Sequence, residues 1–116
     1  MSINKQTVER YMAAYRRLDH PAVLACLTDD VVWYVPGAFT KRGKAEFDKE
    51  IDGDGCFEGK PDINVTRLSE EDGVVVAEGT VLTHKKGGEP VRLAFCDVFE
   101  LRGGLISKLT SYLVSL

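Results

Sequence analysis

Beyond Pro61 the sequence favours β-strands almost without interruption. Four runs rich in β-branched and aromatic residues follow one another, at about residues 62–69, 74–84, 91–102 and 105–115. The segments between them are short and contain glycine, as in Asp72-Gly73 and Gly103-Gly104, which suits tight hairpin turns. Because short turns join antiparallel neighbours, we predict a meander of four strands.

The first part of the chain is predicted to be mainly helical. Its elements are an amphipathic helix over 6–18, a short second helix that includes Val23, Leu24 and Leu27, a strand over 31–35, and a third helix over 44–51. Asp19 and Pro21 suit the cap and the first turn of the second helix. Helices first and a meander afterwards predict an α+β fold, with the helices on one face of the sheet.

Size and charge narrow the classes of protein to which the chain can belong. Its 116 residues, 44% of them hydrophobic, are enough for one compact core, so we predict a single domain over residues 1–116. The net charge of −3 gives no electrostatic surface for nucleic acid or for an anionic membrane. The N-terminal residues lack the apolar region of a signal peptide, and we expect a cytoplasmic protein.

The cysteines and histidines do not form a recognisable metal or disulfide pattern. Cys26, Cys56 and Cys96 are odd in number and widely spaced, which predicts buried thiols rather than a disulfide framework. The two histidines, His20 and His84, would need ligands from distant segments to build a zinc site. We therefore predict neither a metal nor another cofactor.

The run Asp52-Gly53-Asp54-Gly55 is similar to the start of a calcium-binding loop. The pattern then fails, since Cys56, Phe57 and Ile63 stand where an oxygen ligand, a glycine and a carboxylate are needed. A polar loop is the better interpretation.

Asp97 interrupts an otherwise apolar strand face. Strict alternation from Val91 to Arg102 puts Asp97 on the same side as Phe95 and Phe99. An unpaired carboxylate in such surroundings costs roughly several kcal/mol. Asp97 is therefore either hydrogen-bonded and structural, or a proton donor with a raised pKa in a pocket.

Tyr11 raises the same question on the first helix. It lies on the apolar stripe of that helix, and its hydroxyl would also need a partner when buried. Tyr11 is either plain core or the second polar group of a pocket shared with Asp97.

Two segments of the chain resemble those of a known superfamily. One is a helix pair followed by a strand, ERYMAAYRRLDHPAVLACLTDDVVWYVPG, and the other is a closing hairpin, FCDVFELRGGLISKLTSYLV. In these segments the chain resembles the nuclear transport factor 2-like superfamily, in particular its ketosteroid isomerase and SnoaL-like polyketide cyclase branch. The resemblance spans nearly the whole chain. It implies a cone-like α+β fold, in which N-terminal helices and a curved, mostly antiparallel sheet enclose an apolar pocket.

The resemblance also implies roles for particular residues. In ketosteroid isomerase, a tyrosine and a protonated aspartic acid donate hydrogen bonds to the substrate's oxyanion, and a second aspartate moves the proton. Tyr11 and Asp97 match the two donors, whereas Val35, in WYVPG, stands at the base position and cannot accept a proton. The chain would then lack the roughly 10²–10⁴-fold that a general base supplies. In the related polyketide cyclases an aspartate on the corresponding strand is the acid and base, which would make Asp97 the sole catalyst.

Further pocket positions follow from strand alternation and from the resemblance. The expected ligand-binding residues are Trp33, Val35, Phe95, Phe99, Leu109, Ser111 and Leu113. His84 is either an alternative base or a solvent-exposed strand end beside Lys85. Limonene epoxide hydrolases match less well, because they carry Arg-Asp-Tyr where this chain has Thr110-Ser111-Tyr112.

Three classes of function remain open from the sequence. The first is a cofactor-independent enzyme that uses acid–base chemistry on a small apolar molecule with a carbonyl or hydroxyl group. The second is a non-catalytic carrier or sensor of such a molecule, and the third is a structural dimerisation module with a filled core.

We also predict a homodimer through the sheet, because Ala94, Cys96 and Val98 make the outer face of their strand too apolar for solvent.

Overall fold

The structure, a computed structural model, has the predicted α+β architecture and describes residues 2–116, apart from the side chain of Asp54. The elements in chain order are α1 (Ile3–Arg16), α2 (His20–Leu24), β1 (Leu27–Val35), β2 (Phe39–Arg42), α3 (Gly43–Ile51), a short 3-10 turn (Gly53–Gly55), β3 (Phe57–Glu71), β4 (Val74–Lys85), β5 (Pro90–Arg102) and β6 (Leu105–Ser115).

The strands form one sheet in the order β2-β1-β6-β5-β4-β3. Neighbouring strands are antiparallel except β1 and β6, which run parallel. The three helices pack on the sheet, with α1 against β3, β4 and β6 and α3 against β1 and β2. The last strand in sequence therefore lies in the middle of the sheet.

Two of the hairpin turns have the conformation that the sequence predicts. Asp72 and Gly73 have φ angles of 53° and 76°, and Gly103 and Gly104 have 61° and 79°. Two consecutive residues with positive φ form a type I′ turn, whose twist matches that of the strands it joins. The predicted antiparallel meander is confirmed.

The sheet bends where β3 pairs with β4. The register shifts between Val65 and Arg67, as expected for a β-bulge, and bulges bend the strand that carries them. Gly79 faces this point, and a Cβ atom there would lie 1.9 Å from the backbone oxygen of Asn64. Only a residue without a side chain allows the two backbones to approach so closely.

Helix α1 is fixed to the sheet by its apolar face and by hydrogen bonds, including those from Asn4 to the Glu70 carboxylate (3.0 Å) and from Arg16 to the Ile63 carbonyl (2.9 Å) on β3. Ser2 caps the helix by accepting a hydrogen bond from the Lys5 amide (3.0 Å). The Thr7 hydroxyl donates to the carbonyl of Gly104 (2.7 Å), in the turn between β5 and β6. Val8 is fully buried one residue further along. These contacts fix the height and the rotation of the helix above the sheet.

His20 connects α2 with the end of α3 through both of its ring nitrogens. Nδ1 lies 2.6 Å from Oδ1 of Asp48, and Nε2 lies 3.1 Å from Oδ2 of Asp52. A neutral imidazole has a single N–H, so donating to both carboxylates requires the imidazolium form. The hydrogen bond with Asp48, followed by that with Asp52, raises the pKa of His20. We refer to these three residues as the His20 clamp.

Some boundaries differ from the sequence prediction. Leu27 was expected on the second helix but is the first residue of β1, because α2 ends at Leu24. The carbonyl of Cys26 already accepts a hydrogen bond from the amide of Ile106 on β6. Strand β2 was not predicted. Strand β3 begins at Phe57 and continues through Pro61, which an edge strand tolerates because its outer side needs no hydrogen-bond donor.

The prediction of three buried thiols is wrong for two of them. Cys26 is buried, but Cys96 is half-buried on the outer face of β5 and Cys56 is exposed before β3. Cys56 follows a polar turn, and that turn holds it away from the core.

Within residues 2–116, none of the helices is long and apolar enough to cross a membrane.

Candidate functional site

A cavity of about 350 Å³ lies between the helices and the sheet. Its wall is mainly apolar and aromatic, and it is lined by Tyr11, Met12, Tyr15, Leu18, Trp33, Val35, Phe39, Glu50, Ile51, Asp52, Gly53, Phe57, Gly59, Pro61, Ile63, Val81, Thr83, Leu93, Phe95, Asp97, Ser111 and Leu113. Phe57 and Leu113 are 38% and 47% exposed, so the cavity opens to solvent near them. A site of this size and composition suits a small, largely apolar molecule.

Asp97 lies in the sheet wall of this cavity. Its neighbours across the strands are Ala77 on β4 and Ser111 on β6, both buried. Burial raises the pKa of Asp97 to about 7, and a hydrogen bond from Ser111 opposes part of that rise. The carboxyl group is therefore substantially protonated near neutral pH and can donate a hydrogen bond.

Ser111 relays a hydrogen bond from Trp33 towards Asp97. The indole Nε1 of Trp33 donates to the Ser111 hydroxyl at 3.0 Å, in a buried position. Since the indole can only donate, the serine hydrogen is available for the Asp97 carboxyl group. If one carboxyl oxygen accepts from Ser111, the acidic proton resides on the other oxygen, where it can donate to a ligand. Parallel pairing of β1 with β6 makes this relay possible.

Tyr11 and Tyr15 form the helical wall opposite the sheet. Burial raises the pKa of Tyr11 well above its usual range, and the charges of Tyr15 and Asp97 add to the rise. The Tyr11 ring lies edge-on to Phe99, 5.4 Å between ring centres. Burial also raises the pKa of Tyr15, whose hydroxyl donates to the carbonyl of Ile51 (3.2 Å). Both phenols therefore remain hydrogen-bond donors at any physiological pH.

Most residues predicted for the pocket do line it. The structure brings together Tyr11, Trp33, Val35, Phe95, Asp97, Ser111 and Leu113. Phe99 and Leu109 do not line the cavity and lie in the core beneath it, 0% and 1% exposed. His84 also lies outside the lining, in β4 opposite Pro90 of β5. Which of these residues touch a ligand stays a prediction.

Several residues of the cavity wall were not predicted from the sequence. Tyr15 could have been found, because it lies four residues after Tyr11 on the same helical face. Phe39 and Glu50 could not have been found, because the short strand β2 was not predicted and Glu50 is next to the polar end of α3.

Among the side chains that the structure describes, no three His, Cys, Asp or Glu residues are grouped so as to hold a metal ion.

Comparison with known proteins agrees with this geometry. The sequence profile of the SnoaL-like domain matches residues 8–109. Comparison with curated proteins gives no match.

Solved structures share the fold over nearly the whole chain. An NTF2-like protein of unknown function from Burkholderia pseudomallei K96243 is 26% identical, with a TM-score of 0.84, covering 96% of this chain and 90% of that one. An LEH-like epoxide hydrolase from M. tuberculosis is 24% identical, with a TM-score of 0.84, over 97% and 83% of the two chains. A putative SnoaL-like polyketide cyclase from Shewanella putrefaciens CN-32 is 14% identical, with a TM-score of 0.85, over 97% and 90%.

The profile match covers most of the chain, and the helices, the curved sheet and the cavity agree with it. This chain therefore belongs to the SnoaL-like domain family.

Proposed function

We propose that this protein binds a small, largely apolar molecule in the cavity and holds its carbonyl or hydroxyl oxygen with Asp97 and Tyr11. The observation that carries the proposal is the Asp97 carboxyl group in the mainly apolar wall of the cavity, where burial raises its pKa to about 7. A carboxyl group with a pKa of about 7 is partly neutral at pH 7 and is then a strong hydrogen-bond donor, which can also transfer its proton to the oxygen it contacts. Tyr11 supplies a second donor from α1.

Hydrogen bonds from Asp97 and Tyr11 to the ligand's oxygen would suit either an enzyme or a non-catalytic carrier. Acid–base chemistry at the bound oxygen, as the resemblance to SnoaL-like polyketide cyclases implies, would use Asp97 as the acid. A non-catalytic carrier or sensor is the alternative, and it is supported by the apolar Val35 at the position of the isomerase base. A purely structural module is disfavoured, because a filled core would not leave a cavity of about 350 Å³.

The test is the pH dependence of binding of 2-tetralone, a small ketone whose oxygen can only accept hydrogen bonds. If the ketone requires protonated Asp97, a carboxyl pKa of about 7 implies that its affinity falls about tenfold between pH 6 and pH 8. Asp97→Asn keeps a donor and should bind with little pH dependence. Asp97→Ala should weaken binding about 5- to 150-fold at pH 6, the range expected for a lost hydrogen bond in a buried site.

A matched control is Asp62→Ala, because Asp62 is an exposed aspartate on β3 that does not line the cavity. It should bind 2-tetralone as the wild type does at both pH values. Equal affinities for the wild type and Asp97→Ala would make Asp97 a structural residue and would remove the basis of the proposal.

The partner we propose besides the ligand is a second copy of the chain, paired through the outer face of the sheet. Tyr112 and Val114 on β6 are 52% and 62% exposed on that face, and Tyr34 on β1 is 40% exposed. On β5, Cys96 is the direct partner of Tyr112 and Ala94 is the direct partner of Val114, while Val98 pairs with Thr110, the partner of Tyr34. An apolar surface of this kind is more typical of an interface than of a surface in contact with water.

A further inference from the structure

Glu50 is a carboxylate of the cavity wall to which the proposed function gives no role. It lies in the last turn of α3, and its side chain is 17% exposed. It lines the same cavity as Asp97 and Tyr11. Its charge adds to the rise in the pKa of Tyr15, after burial and the charge of Asp97. A charged group this well covered in an apolar wall requires a reason.

The contacts of Glu50 place it at the β1–β2 end of the cavity. Its Oε1 lies 3.7 Å from Nζ of Lys41 on β2, and Nζ lies 5.6 Å from the centre of the Phe39 ring. Phe39 is in turn the cross-strand partner of Val35. Glu50 therefore brings a carboxylate to the end of the cavity that is walled by Val35 and Phe39.

Glu50 and Asp97 have different electrostatic surroundings within the cavity. The ammonium group of Lys41 favours the ionised carboxylate of Glu50. Asp97 has an apolar wall and Ser111 beside it, and burial keeps it substantially protonated. Two carboxyl groups in one cavity, one beside a cation and one in a mainly apolar wall, can take the separate roles of base and acid.

We propose that Glu50 is the general base of this cavity, and that it removes a proton from the carbon next to the carbonyl group of the bound ligand. The inference rests on the proposed function, since Asp97 and Tyr11 hold the oxygen during this step. The C–H bond breaks, its proton passes to the Glu50 carboxylate, and its electron pair forms a C=C bond. The π pair of the carbonyl moves onto the oxygen, which takes the proton of Asp97 to give the enol. The reverse step returns both protons, so no oxidant, reductant or co-reactant is consumed.

The experiment follows hydrogen–deuterium exchange of 2-tetralone in D₂O by proton NMR. The hydrogens next to its carbonyl exchange each time the enol forms and reverts. We expect Glu50→Gln to slow the protein-dependent exchange about 100-fold or more, the range in which a general base contributes. Glu50→Asp keeps a carboxylate and should retain an intermediate rate. Glu58→Gln is the matched control, because Glu58 is an exposed glutamate on β3 outside the lining, and its exchange should equal that of the wild type.

Binding of 2-naphthol separates this inference from the proposed function. 2-Naphthol has the shape of the enol but no exchangeable C–H next to a carbonyl, and Glu50→Gln should bind it within about twofold of the wild type. If the wild type binds 2-naphthol but exchanges no faster than buffer, or if Glu50→Gln exchanges as fast as the wild type, Glu50 is not the base and the proposed function stands. If Glu50→Gln loses 2-naphthol as well, the ion pair with Lys41 supports the wall and the inference is overturned. If the wild type binds neither compound, the proposed function itself fails.

Discussion

Replacing His20 by glutamine is expected to lower the free energy of unfolding by about 1 kcal/mol at pH 6 and by much less at pH 8.5. The magnitude follows from the exposure of the His20 clamp. The side chain of His20 is 29% exposed, and those of Asp48 and Asp52 are 42% and 51% exposed. Ion pairs this close to solvent contribute roughly 0.2–1 kcal/mol each, so two of them give about 1 kcal/mol, or about 4 °C in Tm.

The direction of the pH dependence follows from the raised pKa of His20 in the folded state. A histidine with a raised pKa stabilises the fold fully below its unfolded pKa of about 6.5, and the contribution disappears as the pH rises through the folded value. Above that value the neutral ring keeps one N–H, which glutamine can replace.

Urea unfolding of the wild type and of His20→Gln at both pH values measures this difference directly. His84→Gln is the matched control, because His84 is the other histidine of the sequence and is not part of the clamp. It should show no comparable change between pH 6 and pH 8.5. A His20→Gln effect of the same size at both pH values would show that His20 does not act as an imidazolium in the folded protein.

Three further predictions concern the rest of the molecule. Sedimentation should show a dimer, and Tyr112→Lys should shift it towards monomer without changing 2-tetralone affinity; a wild-type monomer at micromolar concentration would contradict the interface. Val35→Asp should raise the isomerisation of an unsaturated ketosteroid about 10²-fold or more if the cavity admits the steroid, and equal rates in both proteins would show that Val35 is not at the base position. Gly79→Ala should destabilise the fold by about 2 kcal/mol or more in urea, because its Cβ atom would overlap the Asn64 carbonyl, whereas Thr80→Ala, at an exposed neighbour, should cost little.

The fold was largely predictable, because hydrophobic periodicity and turn residues are local signals. Asp72-Gly73 and Gly103-Gly104 both form the tight turns expected of them. Strand β2 was missed because only four residues, Phe39–Arg42, form it, and its partner β1 selects that conformation. Pairing with β6 likewise extends β1 back to Leu27, which the local pattern had assigned to a helix. Such contacts join distant parts of the chain and leave no local signal.

The candidate site was only partly predictable for a related reason. Alternation correctly identified Asp97 as a polar residue on the face that forms the cavity. Register decides which residues lie beside it, and the sequence does not reveal that Ser111 is its direct neighbour. Alternation also cannot distinguish a residue of the cavity wall from a residue of the packed core on the same strand face. Phe99 was therefore expected to contact the ligand, but it lies in the core beneath the cavity. The role of His20 depends on Asp48 in α3 and Asp52 just after it, and it was not predicted.

The central position of β6 determines when this protein can finish folding during synthesis. β6 is made after the other five strands, yet it separates β1 from β5. Until it leaves the ribosome, no strand pairing joins the β1–β2 pair to the β3–β5 meander, and each has an unpaired edge that can bind another chain. Nascent chains that stop before Leu105 should therefore be sensitive to protease and should depend on chaperones. The cavity closes when β6 enters between these edges, and the same step brings Ser111 to the carboxyl group of Asp97.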